Sequence, residues 1–342
     1  MKTKKPRNLF DEYYRLDKLS KKQDPLERLN KYIKWEIFRP LLTEALEKES
    51  YSKGGRPPYD YIMMFKVLIL QRYYNISDEQ AEYQILDRLS FMRFLGLTLS
   101  DDVPDHNTIW LFREKLTEKG LVEKLFELFT QQLIGIGLIA HQGSIVDASF
   151  VEVPRQRNSR QENKEIKENK IPERIEENPN VKSHKDLDAR WTRKNNINYY
   201  GYKDHVKVCK KSKLIEKYIV TDASVHDSQP IEALIDESNN NQEFYGDSAY
   251  SGKPILNLLE SKSINHLINE KGSRNVKLTP EQFENNRKKS KTRARVEHVF
   301  GFIEKSMHGS YIYTIGIERA KAVIGLINLT YNLNRYIQLV RI

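Results

Sequence analysis

The sequence predicts a mixed α/β core preceded by an all-helical N-terminal region, and three observations predict it. Apolar residues recur at helical spacing from Tyr59 to about Leu138. After Gly135-Ile136-Gly137 the period changes, and Gly143-Ser144-Ile145-Val146-Asp147-Ala148-Ser149-Phe150-Val151-Glu152-Val153 is β-rich. From there the order reads three strands, helix, strand, helix, strand, helix. An antiparallel hairpin set followed by βα units gives a mixed sheet with helices on its faces. The 342 residues allow about two domains and a sizeable core.

The elements follow in chain order. Residues 1–56 read as a helical N-terminal arm, basic at its start, closing in the linker SKGGRPP (Gly54, Gly55, Pro57, Pro58). Residues 57–137 read as a bundle of short helices resembling helix-turn-helix units. Ile62, Met63, Phe65, Leu68, Ile69 and Tyr73 share one apolar stripe, and Ser77-Asp78-Glu79-Gln80 is a capping box that opens the next helix. Pro104-Asp105-His106-Asn107 starts another. Residues 138–342 form the α/β domain. Within it, residues 155–195 hold 12 Lys/Arg and 8 Asp/Glu with few apolar positions, and are expected to be an exposed, partly disordered insertion. Strands are then expected over Tyr200–Cys209, Leu214–Thr221, Glu243–Asp247 and Asn265–Ile268. Helices are expected from Ser228, over Pro254–Leu259, and from about Arg293 onward.

Composition removes several functions. No apolar run reaches the roughly 18 to 20 residues of a membrane span. The basic N-terminus has no apolar segment behind it, so it is not a secretory signal. One cysteine, Cys209, excludes a disulfide framework and a Cys-based zinc site, and suits a reducing, intracellular setting. His184, His205, His226 and His298 show no paired spacing for zinc. Lys plus Arg exceeds Asp plus Glu by 57 to 47, and a net charge of +10 suits a polyanionic partner.

Three carboxylates could carry chemistry. Asp147 lies mid-strand among Ile145, Val146 and Ala148; it is either a solvated edge residue or a functional one that the strand desolvates. Asp247 ends a strand behind Gly246, as a turn or cap residue or at the strand end where α/β sheets place ligands. Glu297 borders the stripe Val296, Val299, Phe300, Ile303 and Met307, as a flank residue or a ligand. Together they would suit a hard divalent cation, which takes oxygen ligands. Two such ions about 3.5 to 4 Å apart can activate an attacking oxygen and stabilise a leaving one.

Five ordered segments carry a resemblance. They are Ile145-Val146-Asp147-Ala148-Ser149, Gly201-Tyr202-Lys203-Asp204-His205, Thr221-Asp222-Ala223-Ser224-Val225-His226-Asp227-Ser228, Tyr245-Gly246-Asp247-Ser248-Ala249-Tyr250 and Arg295-Val296-Glu297-His298-Val299-Phe300-Gly301. In this order they resemble the DDE transposases of bacterial insertion sequences, nearest the branch of insertion sequence five, over about residues 55–340. The resemblance implies an RNase H-like catalytic domain with Asp147, Asp247 and Glu297 as catalytic triad and metal ligands. It implies Mg2+ or Mn2+, two ions, as cofactor. The implied partners are double-stranded DNA, both inverted repeats and target, with a homodimer on DNA and no membrane. The implied setting is cytoplasmic and nucleoid-associated. Cleavage and joining would follow from in-line attack by water and then a 3′-hydroxyl.

One position departs from the family pattern. Its signature of Tyr, two residues, Arg, three residues, Glu, six residues, Lys finds Ser290, Arg293, Glu297 and Glu304 here, with Lys305 one residue late. Glu304 in the Lys position feeds the alternative of a catalytically inactive DNA-binding repressor. A second rival is a nuclease on the same fold that cuts without joining. The run Arg287, Lys288, Lys289, Lys291, Arg293 and Arg295 contains no acid, and is expected to contact phosphates along with Lys203. The helix opening near Asn107-Thr108 is the candidate recognition helix, with Arg113 and Lys115 on phosphates, or else a packing helix.

Overall fold

The computed structural model describes residues 8, 10–47, 57–140, 142–168, 170–236, 239–272 and 277–340. The linker expected at SKGGRPP falls largely outside them. The chain divides into two compact units, Met1–Leu121 with Leu333–Ile342, and Val122–Asn332.

The first unit is helical: α1 Asp11–Lys21, α2 Pro25–Tyr32, α3 Arg39–Leu46, α4 Tyr61–Tyr74, α5 Asp78–Asp87, α6 Leu89–Leu95 and α7 His106–Glu118. Helix α4 is apolar on almost every side, so the others wrap it: Ile62 to Leu70 is buried apart from Lys66. Its Phe65 packs edge-on to Phe38, ring centroids 4.9 Å apart. The capping box at Ser77 and Gln80 forms as the spacing predicts. Helix α7 starts from Asp105, whose side chain accepts from Thr108 N at 2.6 Å.

The second unit begins with α8 Leu121–Gly135, then β1 Ser144–Glu152. Residues 155–195, expected to be an exposed, partly disordered insertion, are mostly exposed. They form α9 Arg160–Lys167, α10 Glu173–Glu176, α11 Pro179–Ser183 and β2 Arg190–Lys194. Ile166, Ile175 and Ala189 are buried there, and the buried Tyr202 hydroxyl donates to the Asp186 carboxylate, its oxygen 2.8 and 2.7 Å from Oδ1 and Oδ2. Next come β3 Ile197–Cys209, β4 Ile215–Asp222, α12 Ile231–Leu234, β5 Glu243–Gly246, α13 Lys253–Ser261 and β6 Asn265–Ile268. Two long helices finish the chain, α14 Pro280–Ser306 and α15 Ile317–Leu339. Helix α14 starts well before Arg293, because Thr279 and Gln282 close a capping box with Pro280 at the first position.

The six strands make one mixed sheet. β3 runs antiparallel to β1, β4 antiparallel to β3, and β5 and β6 parallel to β1 and to each other. The order β4-β3-β1-β5-β6, with β1 central, is the RNase H-like arrangement, and β2 prolongs it along the first residues of β3. Paired residues point the same way, so the two faces can be read from the register. Val146 joins Phe244, Ile231, Leu234, Tyr250, Ile255 and Leu259 in the core under α12 and α13. The opposite face carries Asp147 toward α14, and Asp204, which accepts from Asn328 Nδ2 of α15 at 3.1 Å.

Burial pushes the Asp204 carboxyl up to about 7, against that single donor. Its folded value lies above its ordinary 3.8, so the native state holds the proton more tightly and stability is lost as pH rises from about 4 to about 7. Asp204→Asn is expected to flatten that loss. Melting temperatures across the window check this: a slope equal to the parent's removes Asp204 as a contributor.

Candidate active site

Asp147 lies on β1, and Asp247 follows directly after the neighbouring parallel strand β5. Ser144 pairs with Phe244 and Ile145 with Tyr245, so continuing the register sets Asp147 beside Asp247, just past the end of β5. Adjacent strands lie about 4.8 Å apart. Asp147 Oδ1 accepts from Ala148 N at 2.9 Å. Burial is the main cause that pushes its carboxyl up to about 6; nearby Asp247 adds to the rise, and Ala148 N–H, Arg293 and Lys194 oppose it. Asp247 is half-buried and accepts from Ala249 N at 2.8 Å, capping the short turn Ser248–Tyr250. A Cβ at Gly246 would stand 3.0 Å from the Tyr250 ring, which would have to shift to admit it.

Glu297 arrives from α14, with Val296, Val299 and Ile303 of the same helix buried. Its side chain is 60% exposed. Arg293, one turn earlier, ties it to the sheet: Nη1 donates to Asp147 Oδ2 at 2.9 Å and Nη2 to Glu297 Oε1 at 3.1 Å. The helix thus brings a carboxylate and a guanidinium to Asp147.

Tyr250 belongs to this neighbourhood and sequence reasoning passed over it. Its side chain is fully buried, its hydroxyl meets no partner among the described residues, and burial together with Asp147, Asp227 and Asp247 holds its pKa well above the usual value. Its place three residues after Asp247 was the available signal.

The expected phosphate contacts divide. Arg287, Lys288, Lys291 and Arg295 are exposed residues of α14. Arg287 stands 3.6 Å from Glu284, and Arg295 donates to Lys210 O. Lys289 is tied to Ile268 O at 3.0 Å and lies 3.6 Å from Glu270. Lys203 is corrected: it is buried, donating to Val225 O at 2.6 Å and paired with Asp227 at 2.8 Å, so it offers no free charge at the surface. Arg113 is corrected too, because both of its terminal nitrogens hold Asp78 at 2.7 Å. Each cation is taken by an acid distant in sequence, which local pattern does not display. Glu304 and Lys305 are both exposed.

Among the described residues, no three His, Cys, Asp or Glu side chains are grouped closely enough to hold one ion. The donor chemistry nevertheless suits a hard divalent cation, since the three acids offer only carboxylate oxygens. A guanidinium already bridges two of them, so the position accepts positive charge. No helix among the described residues is long and apolar enough to cross a membrane.

Strand order and paired strand acids beside a helix-borne glutamate define an RNase H-like core with a carboxylate site. Residues 139–333 match the family described as Transposase DDE domain, and residues 14–115 match Transposase domain (DUF772). The chain belongs to the DDE-domain transposases. Among solved structures it is similar to the piggyBac transposase synaptic complex with hairpin DNA, at 13% identity over 93% of this chain and 75% of that one, with TM-score 0.45. It is more distantly similar to the Mos1 transposase paired-end complex with left transposon end, at 9% identity over 84% and 96%, with TM-score 0.21.

Proposed function

We propose that the chain is the transposase of an insertion sequence of the insertion sequence five type, which binds the terminal inverted repeats and carries out divalent-metal-dependent strand cleavage and strand transfer. The observation that carries this reading is the bridge from Asp147 through Arg293 to Glu297, with Asp247 close enough to act on the Asp147 carboxyl. Those three acids would hold Mg2+ or Mn2+, two ions in all, which would neutralise charge developing on a phosphodiester. The protein's own part is positioning. The exposed cations Lys288, Lys291 and Arg295 precede Glu297 on the same helix, and hold the polyanion near the acids. Half-buried Asp147 keeps its carboxylate partly desolvated, which strengthens its hold on a cation. An in-line attack by water, then by a 3′-hydroxyl, needs no covalent enzyme intermediate. The DNA partner, a homodimer on paired ends and a nucleoid setting belong to the same reading.

The test is a labelled duplex ending in the element's own inverted repeat, incubated with the protein and Mg2+ or Mn2+. Cleavage at the repeat boundary is the expected result. A second reading, an inactive DNA-binding repressor, is favoured by Glu304 in the place of the family's Lys. Specific binding with no cleavage in either metal would select it.

A further inference from the structure

The acids of the site are already engaged. Asp147 uses Oδ1 for Ala148 N–H and Oδ2 for Arg293, and Glu297 uses Oε1 for the other arm of the same guanidinium. Each of those oxygens keeps a second lone pair, but a divalent cation placed on Asp147 Oδ2 or Glu297 Oε1 would stand against the positive guanidinium and be repelled by it.

We propose that Arg293 is an internal counter-ion that keeps a divalent cation from Asp147 and Glu297 until a DNA phosphate draws it away. The inference rests on the proposed metal-dependent reaction at this site. Three features support it. The guanidinium is held by one bond from each arm, so no acid grips it with both. Its Nε is buried and meets no acceptor among the described residues, which leaves the bridged state incompletely satisfied. The Arg293 side chain is 23% exposed, so a phosphate can reach its planar fork, a group suited to bind it. Arg293 is then a positioning residue with two alternative partners. By linkage, DNA and metal should each tighten the other's binding.

The experiment titrates Mn2+ into the protein without DNA and follows the electron paramagnetic resonance signal of the free aqua ion. Parent, Arg293→Gln, Arg293→Lys and Asp147→Asn are compared, with circular dichroism reporting folding. Arg293→Gln is expected to bind Mn2+ roughly tenfold more tightly than the parent. Arg293→Lys, which keeps the charge and loses the fork, should fall between. A short duplex should tighten the parent more than it tightens Arg293→Gln. Folded Arg293→Gln that binds no more tightly than the parent overturns the proposal, as does equal tightening by DNA in both. If Arg293→Gln does not fold, Arg293→Lys binding no more tightly than the parent has the same consequence. Asp147→Asn should lose the binding, which places the ion at this site. If no protein binds Mn2+ with or without DNA, the metal reading fails and the proposal with it; Mn2+ binding insensitive to Arg293 removes the counter-ion alone.

Discussion

Asp147→Ala protein should bind the element's terminal duplex as the parent does and cut it at least about 100-fold more slowly. Losing a residue that merely supports a metal ligand costs about 10- to 100-fold, and Asp147 is proposed as a ligand itself. Binding should survive because the exposed cations of α14 are untouched, and removing Asp147 releases Arg293 from one of its two acids. Asp247→Ala should share the cleavage defect and also strip Ala249 N–H of its acceptor. Gel shift and cleavage read on one sample separate the two properties. Cleavage by Asp147→Ala at the parental rate would take it out of the reaction.

Gly201→Ala should destabilise the protein by about 2–5 kcal/mol. Gly201 has φ of +146°, a backbone state that side-chain-bearing residues rarely adopt. A Cβ there would lie 2.4 Å from Val151 O and 3.1 Å from Glu152 Cα. Neither atom belongs to a flexible side chain, so β1 and β3 must part. Gly201 pairs with Glu152 on one side and Arg190 on the other, and its carbonyl accepts from Ala223 N at 3.0 Å. Three strands and the turn after β4 depend on it. Urea unfolding gives the number; a loss below about 0.5 kcal/mol, the usual range of a surface change, would contradict the close approach.

Much of the core was legible because its signals are local. The change of period after Gly137 marks β1, and β6 runs over Asn265–Ile268 as read from the sequence. The acids Asp147 and Asp247 stood out by lying in or just past apolar strands. Other features were hidden because they depend on partners far along the chain. Lys203 and Arg113 read as free cations until Asp227 and Asp78 are placed beside them. The bridge from Arg293 to Asp147 spans 146 residues, though its arm to Glu297 follows from helical spacing. Residues 155–195 read by composition as exposed and partly disordered; the burial of Ile166, Ile175 and Ala189 and the Tyr202–Asp186 hydrogen bond at the end of the segment depend on the rest of the fold. The full length of α14 was missed because its first turns are almost wholly polar, and the capping box at Thr279 was overlooked.

The continuity of α14 has a consequence for where a strand would be cut. One unbroken helix of 27 residues carries both the cationic run and Glu297. Arg287 and Glu297 are about 15 Å apart along its axis, at about 1.5 Å per residue. No hinge separates them, so under the proposed function the helix acts as a ruler: the phosphate it grips sets which phosphodiester reaches the acids. Inserting one residue between Lys291 and Arg293 would turn the grip about 100° out of phase with Glu297. Spacing along this rod, more than the number of its charges, would then set the cut position.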